Sequence, residues 1–253
     1  MDQISFRLNP IPPFDLRFTA WALRRRPDNI IDRWNGQTYR RVIVFDGKTV
    51  EVEVTQKGSL DKPILHVTAT AEKIVPQLKS AIIHALERML GLRVDLSKFY
   101  DFVKGERNLC QLSRRFLGLK PPRFPTLFEA LVNAFACQQL TLTVGILLLN
   151  WLALKTGLPF KKEGSTVYTF PQPERVARLH PETFRKLGFS RQKGRALSEL
   201  SQRVTRKSID LESIEALDDE AALKQLSLER GGQMECRICA SEGYGSACPF
   251  SGG

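Results

Sequence analysis

Histidine and cysteine are scarce in this chain, with three of the first and five of the second among 253 residues. That leaves little material for a disulfide framework or for the clusters of four ligands that structural zinc sites use. Cys110 and Cys137 sit inside helical patterns, which suits reduced thiols. The other three, Cys236, Cys239 and Cys248, fall in the closing stretch RGGQMECRICASEGYGSACPFSGG. A Cys-x-x-Cys pair with one more cysteine beyond it supplies three ligands with no histidine nearby. It has neither zinc-ribbon spacing nor the four-cysteine iron-sulfur loop, so no metal and no other cofactor is expected.

Long apolar runs are missing too. The most hydrophobic stretch, LTLTVGILLLNWLAL from Leu140 to Leu154, contains Asn150 and is shorter than the roughly 20 residues that a spanning helix needs. It reads as a buried core helix. MDQISFRLNPIPPFDLRF has no apolar core behind basic residues, so no secretory leader and no membrane partner are expected, and the cytoplasm is the expected location. Acidic residues are in short supply as well, 27 against 38 Lys and Arg, for a formal charge of +11. An excess of that size favours a polyanion, with nucleic acid the leading candidate and a merely soluble basic surface the alternative.

What is present changes character near residue 75. FDLRFTAWALRRR (Phe14 to Arg26) has helical spacing and is stopped by Pro27. In YRRVIVFDGKTVEVEVTQ, Val50, Val52 and Val54 alternate with charged partners and Asp46-Gly47 supplies a tight-turn dipeptide, which predicts a hairpin. ILHVTAT (Ile64 to Thr70) adds a strand. Residues 1–75 therefore read as an α+β domain, a small antiparallel sheet with helices.

From Pro76 the period is helical. PQLKSAIIHALERMLGL carries Leu78, Ala81, Ile82, Ala85, Leu86, Met89 and Leu90 on one stripe, with Pro76 suited to the first turn and Gly91 to a C-cap. In FPTLFEALVNAFACQQLTLTVGILLLNWLALKTGL, Thr126 and Glu129 form a capping-box pattern. One helix should start at about Leu127 and end near Gln138-Gln139, and Thr141 can cap the next. Two glutamines at that junction are either solvated turn residues or polar groups held for a partner. After KKEGSTVYTF, read as a linker, come short helices from Pro173 and Pro181. A longer one follows that Ser190 can cap, with Arg191, Lys193 and Arg195 crowding its first turn. Cations there oppose the helix dipole, a choice that a docked phosphate would justify and a solvated basic face would merely tolerate.

Taken in order, PTLFEALVNAFACQQLTLT, FPQPERVARL and FRKLGFSRQKGRAL resemble the helix-hairpin-helix DNA glycosylases, specifically the 3-methyladenine DNA glycosylase II branch, over roughly residues 10 to 226. The resemblance implies an all-α helical domain of that type after the α+β domain, here residues 76–229. It also implies a monomer that binds double-stranded DNA containing alkylated bases, flips the damaged base and hydrolyses its N-glycosidic bond in base-excision repair. By position, Gln138 and Gln139 match the junction that inserts a wedge into the duplex, with Gln139 the wedge, and Thr141, which caps the next helix, is taken with them as a DNA-binding residue. Ser190 and Lys193 match the family's GxS-x-x-K helix start, and Arg191 joins them as a DNA-binding candidate through the basic first turn.

Two further family features are absent from the chain as written. One is the hairpin, Leu-x-Gly-Ile/Val-Gly-x-Trp-Ser/Thr-Ala-x-Tyr, whose turn offers amides to a phosphate. The other is a later Asp that stabilises the developing sugar cation. Asp218 and Asp219 come too early and read as a helix N-cap pair, so no catalytic residue is assigned. Read one nucleotide later, however, the Met234 and Glu235 codons give TGG, a Trp without choice. The codons from Arg230 onward can then spell GVGRWSAEY, which fits the hairpin pattern. A one-nucleotide frameshift near Ser227 to Arg230 is therefore expected, which makes 230–253 a non-native, disordered tail and leaves an impaired enzyme or a non-catalytic binder of distorted DNA. Without the family's last helices, the apolar helix around Ile146 to Leu152 should expose an apolar patch.

Overall fold

A computed structural model describes residues 1–228; the tail cysteines, the shifted hairpin pattern and residues 230–253 lie outside the described residues. The chain divides into two compact units, one from Met1 to Gln202 and one that starts at Arg203.

The first unit opens with strand β1 (Asp2–Leu8) and helix α1 (Leu16–Arg24), followed by β2 (Arg33–Trp34), β3 (Thr38–Phe45), β4 (Lys48–Lys57) and β5 (Ile64–Ala71). These strands form one antiparallel sheet in the order β1-β5-β4-β3-β2. Asp46 and Gly47 make the two-residue turn between β3 and β4, both with positive φ (48° and 74°), the geometry that matches the right-handed twist of the flanking strands. Val50, Val52 and Val54 are fully buried beneath α1 and α2 (Pro76–Leu90), in a core shared with Leu16, Ala20, Ile82, Leu86 and Met89. Pro76 stands in the first turn of α2, and Gly91 ends it in the left-handed conformation at φ 63°. β1 was not anticipated, although Ile4, Phe6 and Leu8 alternate as a strand should.

The charged partners of the β4 valines do not face water as simple alternation suggests. Glu51 is buried, and it pairs with Arg33 at 2.8 Å, while Glu53 pairs with Arg40 at 3.0 Å. Lys162 joins both carboxylates, at 3.2 and 2.7 Å. It belongs to a second, two-stranded sheet, β6 (Pro159–Lys162) with β7 (Ser165–Tyr168), inside the segment read as a linker. Glu163 and Gly164, both at positive φ, form its turn.

The helices after α2 are α3 (Ser97–Val103), α4 (Arg107–Arg115), α5 (Leu127–Cys137), α6 (Leu142–Thr156), α7 (Pro173–Val176), α8 (Pro181–Lys186) and α9 (Arg191–Thr205). Ile146, Leu148, Leu149 and Leu152 of α6 are buried, so the patch expected around Ile146 to Leu152 is narrower than the sequence suggests. The exposed apolar residues of α6 are Leu142, Val144, Leu147, Trp151 and Leu154, each between 37% and 51% exposed. In the second unit, Asp210 caps α10 (Leu211–Glu215) by accepting from the amides of Glu212 and Ser213, and Asp218 Oδ1 accepts from the Ala221 amide at the start of α11 (Asp219–Leu228). Among the described residues no helix is long and apolar enough to cross a membrane.

Candidate nucleic-acid interface

The junction between α5 and α6 is short and sharply bent. Gln138 ends α5 by donating its amide to the Ala134 carbonyl. Gln139 then takes a left-handed backbone at φ 56°, a conformation uncommon outside glycine, asparagine and aspartate. The Leu140 amide returns to the Cys137 carbonyl at 3.2 Å, and Thr141 Oγ1 accepts from the Val144 amide to cap α6. Gln139, Leu140 and Thr141 are exposed at the tip. Below them the two helices touch closely, because a Cβ built on Gly145 would lie 2.5 Å from Cys137 Sγ and 3.0 Å from Cys137 Cα.

α9 approaches the same junction from another direction. Ser190 Oγ accepts from the Lys193 amide at 3.2 Å, so the cap expected of Ser190 is present. Gly194 lets the helix close on Phe184, where a Cβ would come within 2.8 Å of the Phe184 Cβ. Arg191 and Arg195 are exposed, but the Lys193 ammonium turns inward and donates to the carbonyl oxygens of Gln138 at 2.5 Å and Ala136 at 3.4 Å. Burial lowers the Lys193 pKa, against the pull of Cys137. The cation thus sits on the carbonyl end of α5, where the helix dipole favours it.

The region after α1 completes the setting. Arg25, at the α1 C-cap with φ 59°, donates from Nη2 to Asn133 Oδ1, reaches Cys137 Sγ at 3.9 Å from Nη1 and lies over the Phe124 ring. Arg26 donates to Thr143 Oγ1 at 2.8 Å, and Asn150 fixes the following loop by bonding the Asp28 carbonyl and the Ile30 amide. At the other end of α5, Thr126 caps the helix as expected, but Glu129 does not reach back to complete a capping box. Its carboxylate receives both bonds from Arg41 Nη2, at 2.6 Å each. Arg41 is buried and also donates to Asp32 Oδ1 at 2.8 Å, which in turn accepts from Tyr39 Oη at 2.6 Å. A buried guanidinium left without these carboxylates would cost more than the cap, which explains the exchange. Burial works against the charged Arg41, yet Asp32 and Glu129 hold its pKa well above the usual value.

Among the described residues no group of three or more histidine, cysteine or acidic side chains is placed to hold a metal. Gln138, Gln139 and Thr141 make the junction, Lys193 reaches it through the Gln138 and Ala136 carbonyls, Ser190 caps the turn that carries Lys193, and Arg191 is exposed on that same turn without a contact to the junction. Arg25, Asn133 and Gly145 are part of its support and were not singled out from the sequence.

No protein-family model matches the chain. Among curated proteins, the DNA-3-methyladenine glycosylase of Bacillus subtilis (strain 168) is 26% identical over 153 residues, 60% of this chain and 50% of that protein. The chain therefore spans about half the length of the curated relative it matches. Among solved structures, the 3-methyladenine DNA-glycosylase from Archaeoglobus fulgidus superposes with a TM-score of 0.74 at 23% identity, over 89% of this chain and 74% of that one. The 8-oxoguanine glycosylase/lyase of Clostridium acetobutylicum, solved with double-stranded DNA containing cytosine opposite 8-oxoG, gives a TM-score of 0.66 at 14% identity, over 89% and 73%. The fold is that of the helix-hairpin-helix DNA glycosylases. The five-stranded sheet lies in the N-terminal part of the chain, and the α5–α6 junction lies in the helical region that follows.

Proposed function

We propose that this chain derives from a DNA glycosylase for damaged bases, of the kind that hydrolyses the N-glycosidic bond of alkylated purines such as 3-methyladenine. As written, the 253-residue chain recognises damaged or distorted duplex DNA and releases little or no base. The observation that carries the binding half is the exposed, left-handed Gln139 between two capped helices, with the basic start of α9 tied to the turn through Lys193. A protruding side chain on a rigid turn can fill the gap that a flipped base leaves. Extrusion costs least where the base is damaged or the stack already distorted. The charge of +11 supplies the sequence-independent attraction to phosphate. We assign the protein to the cytoplasm, as a monomer acting on double-stranded DNA that contains alkylated bases.

The inactive half rests on the sequence beyond Leu228. Residues 229–253 spell neither the glycine-rich hairpin nor an Asp, and Asp218 is occupied in capping α11. Losing one acid/base group alone costs about 10² to 10⁴ in rate. The test compares this chain with one whose frame is restored by a single base change near codons 227 to 230, each incubated with alkylated DNA. The restored chain should release 3-methyladenine and the 253-residue chain should not. Release at an equal rate by both, or an altered frame that spells no hairpin, would defeat the reading. Abasic-site duplex should bind to the 253-residue chain more tightly than intact duplex.

A further inference from the structure

Three basic residues crowd the first turn of α9, and one of them takes an unusual direction. Arg191, two residues before Lys193, is exposed, as is Arg195, two residues after it. Lys193 stands on the same helical turn as both, yet its ammonium is folded onto the last carbonyls of α5, 2.5 Å from the oxygen of Gln138. Those carbonyls have no intrahelical partner, and a lysine carries three donors on one small head, so a single side chain can satisfy two of them. Gln138 is the residue directly before the left-handed Gln139. Arg25 also holds Asn133 and Cys137, five residues and one residue before Gln138 along α5. The turn is thus tied to α9 by Lys193, to the end of α1 by Arg25 and to α6 by the close contact at Gly145.

We infer that Lys193 is a positioning residue: it serves DNA recognition by fixing the backbone of the Gln138–Gln139 turn and not by touching a phosphate. This rests on the reading that the turn enters distorted duplex. A cation that neutralises a phosphate releases a counterion, so its removal flattens the dependence of log K on log salt by about one unit and weakens all sequences and shapes of duplex alike. A cation that only shapes the turn leaves that slope unchanged, while the preference for a distorted site falls. Held off its carbonyls, the turn loses its left-handed residue and Gln139 no longer projects as a wedge.

The experiment uses the full chain and two duplexes, one intact and one with an abasic-site analogue, over a range of KCl concentrations. Lys193→Met should lose the preference for the abasic duplex about tenfold or more while keeping the wild-type salt slope. Lys193→Arg, which retains donors, should stay within about threefold of wild type. Arg191→Met is the contrasting variant and should weaken both duplexes alike with a flatter slope. A Lys193→Met chain that keeps its preference, or whose slope flattens by about one unit, overturns the assignment.

A measurement on the unaltered protein without DNA separates this inference from the function it rests on. The Lys193 ammonium protons should give a slowly exchanging signal in the spectrum of isotope-labelled protein, as clamped ammonium groups do. Rapid averaging with water would overturn the clamp whatever the DNA results. If the signal is present but wild-type protein shows no preference for the abasic duplex, the clamp stands as a structural feature and its role in recognition falls with the proposed function.

Discussion

The two ends of α5 are each held by a cation from elsewhere in the chain, and they are held in opposite ways. At the N-terminal end Arg41 is buried between Glu129 and Asp32, charge against charge, with Tyr39 completing the cluster. At the C-terminal end Lys193 is half-buried and meets only neutral carbonyl oxygens, and the residues beyond it are exposed. The first arrangement fastens the helix to the sheet through a group that could not be buried alone. The second holds a turn whose tip stays in solvent. One helix thus joins a fixed end to a presented one.

Breaking the buried end should have the largest effect. Arg41→Met leaves Glu129 and Asp32 facing each other without a counter-charge, and removal of one partner from a buried ion pair costs about 3–5 kcal/mol. A urea midpoint within experimental error of wild type would show that the cluster relaxes or hydrates instead. The next largest effect is expected midway, where the helices touch. Gly145→Ala forces a methyl group to within 2.5 Å of Cys137 Sγ, and such overpacking costs about 1–3 kcal/mol. Because the displaced atoms lie directly under the turn, this variant should also lower the preference for abasic duplex. A stable chain with full preference would mean that the α5–α6 spacing does not set the turn.

The contrast between the two ends also marks what could be read from the residues alone. Thr126, Thr141, Ser190, Pro76, Gly91 and the Asp46-Gly47 turn act on amides or dihedrals within a few positions of themselves, and each does what its sequence position suggests. The Arg41–Glu129 pair joins residues 88 positions apart, and nothing local announces it. A faint signal exists in the strand phase, since Arg41 stands opposite Val52, as Tyr39 stands opposite Val54 and Ile43 opposite Val50, so it shares the core face. Glu129 shows the hazard of a local motif. It fits a capping box, yet burial beside Arg41 decides where its carboxylate goes. The β6–β7 hairpin was missed because its strands are only four residues each, and Glu163-Gly164 was its one turn signal. At the candidate interface, the residues at the tip follow from the resemblance, but the direction of Lys193 depends on where α9 lies against α5.

Smaller effects probe the presented end. Thr141→Ala removes the cap of α6, whose hydrogen bond is long at 3.4 Å and solvent-exposed, so a loss of about 0.5–1 kcal/mol is expected, at the low end for N-caps. Hydrogen exchange should rise in the first turn of α6 and leave α2 unchanged; protection that is unaltered at Val144 would show that the cap adds nothing.

The smallest effect lies in the pH dependence of Lys193. Burial depresses its folded-state pKa below the ordinary lysine value, so in the window between the two the unfolded chain binds more protons than the folded one. Stability from this group is therefore fully present above the unfolded pKa and is lost as pH falls through the folded pKa. Wild type should gain on Lys193→Met as pH rises through that alkaline window, by a small amount because the side chain is only half-buried and screened by solvent. The urea midpoints of the two proteins, compared at neutral pH and again across the lysine range, measure this difference directly. If the gap narrows with rising pH, the ammonium is better solvated by the carbonyls of Ala136 and Gln138 than by water, and the presented end would be electrostatically as tight as the buried one.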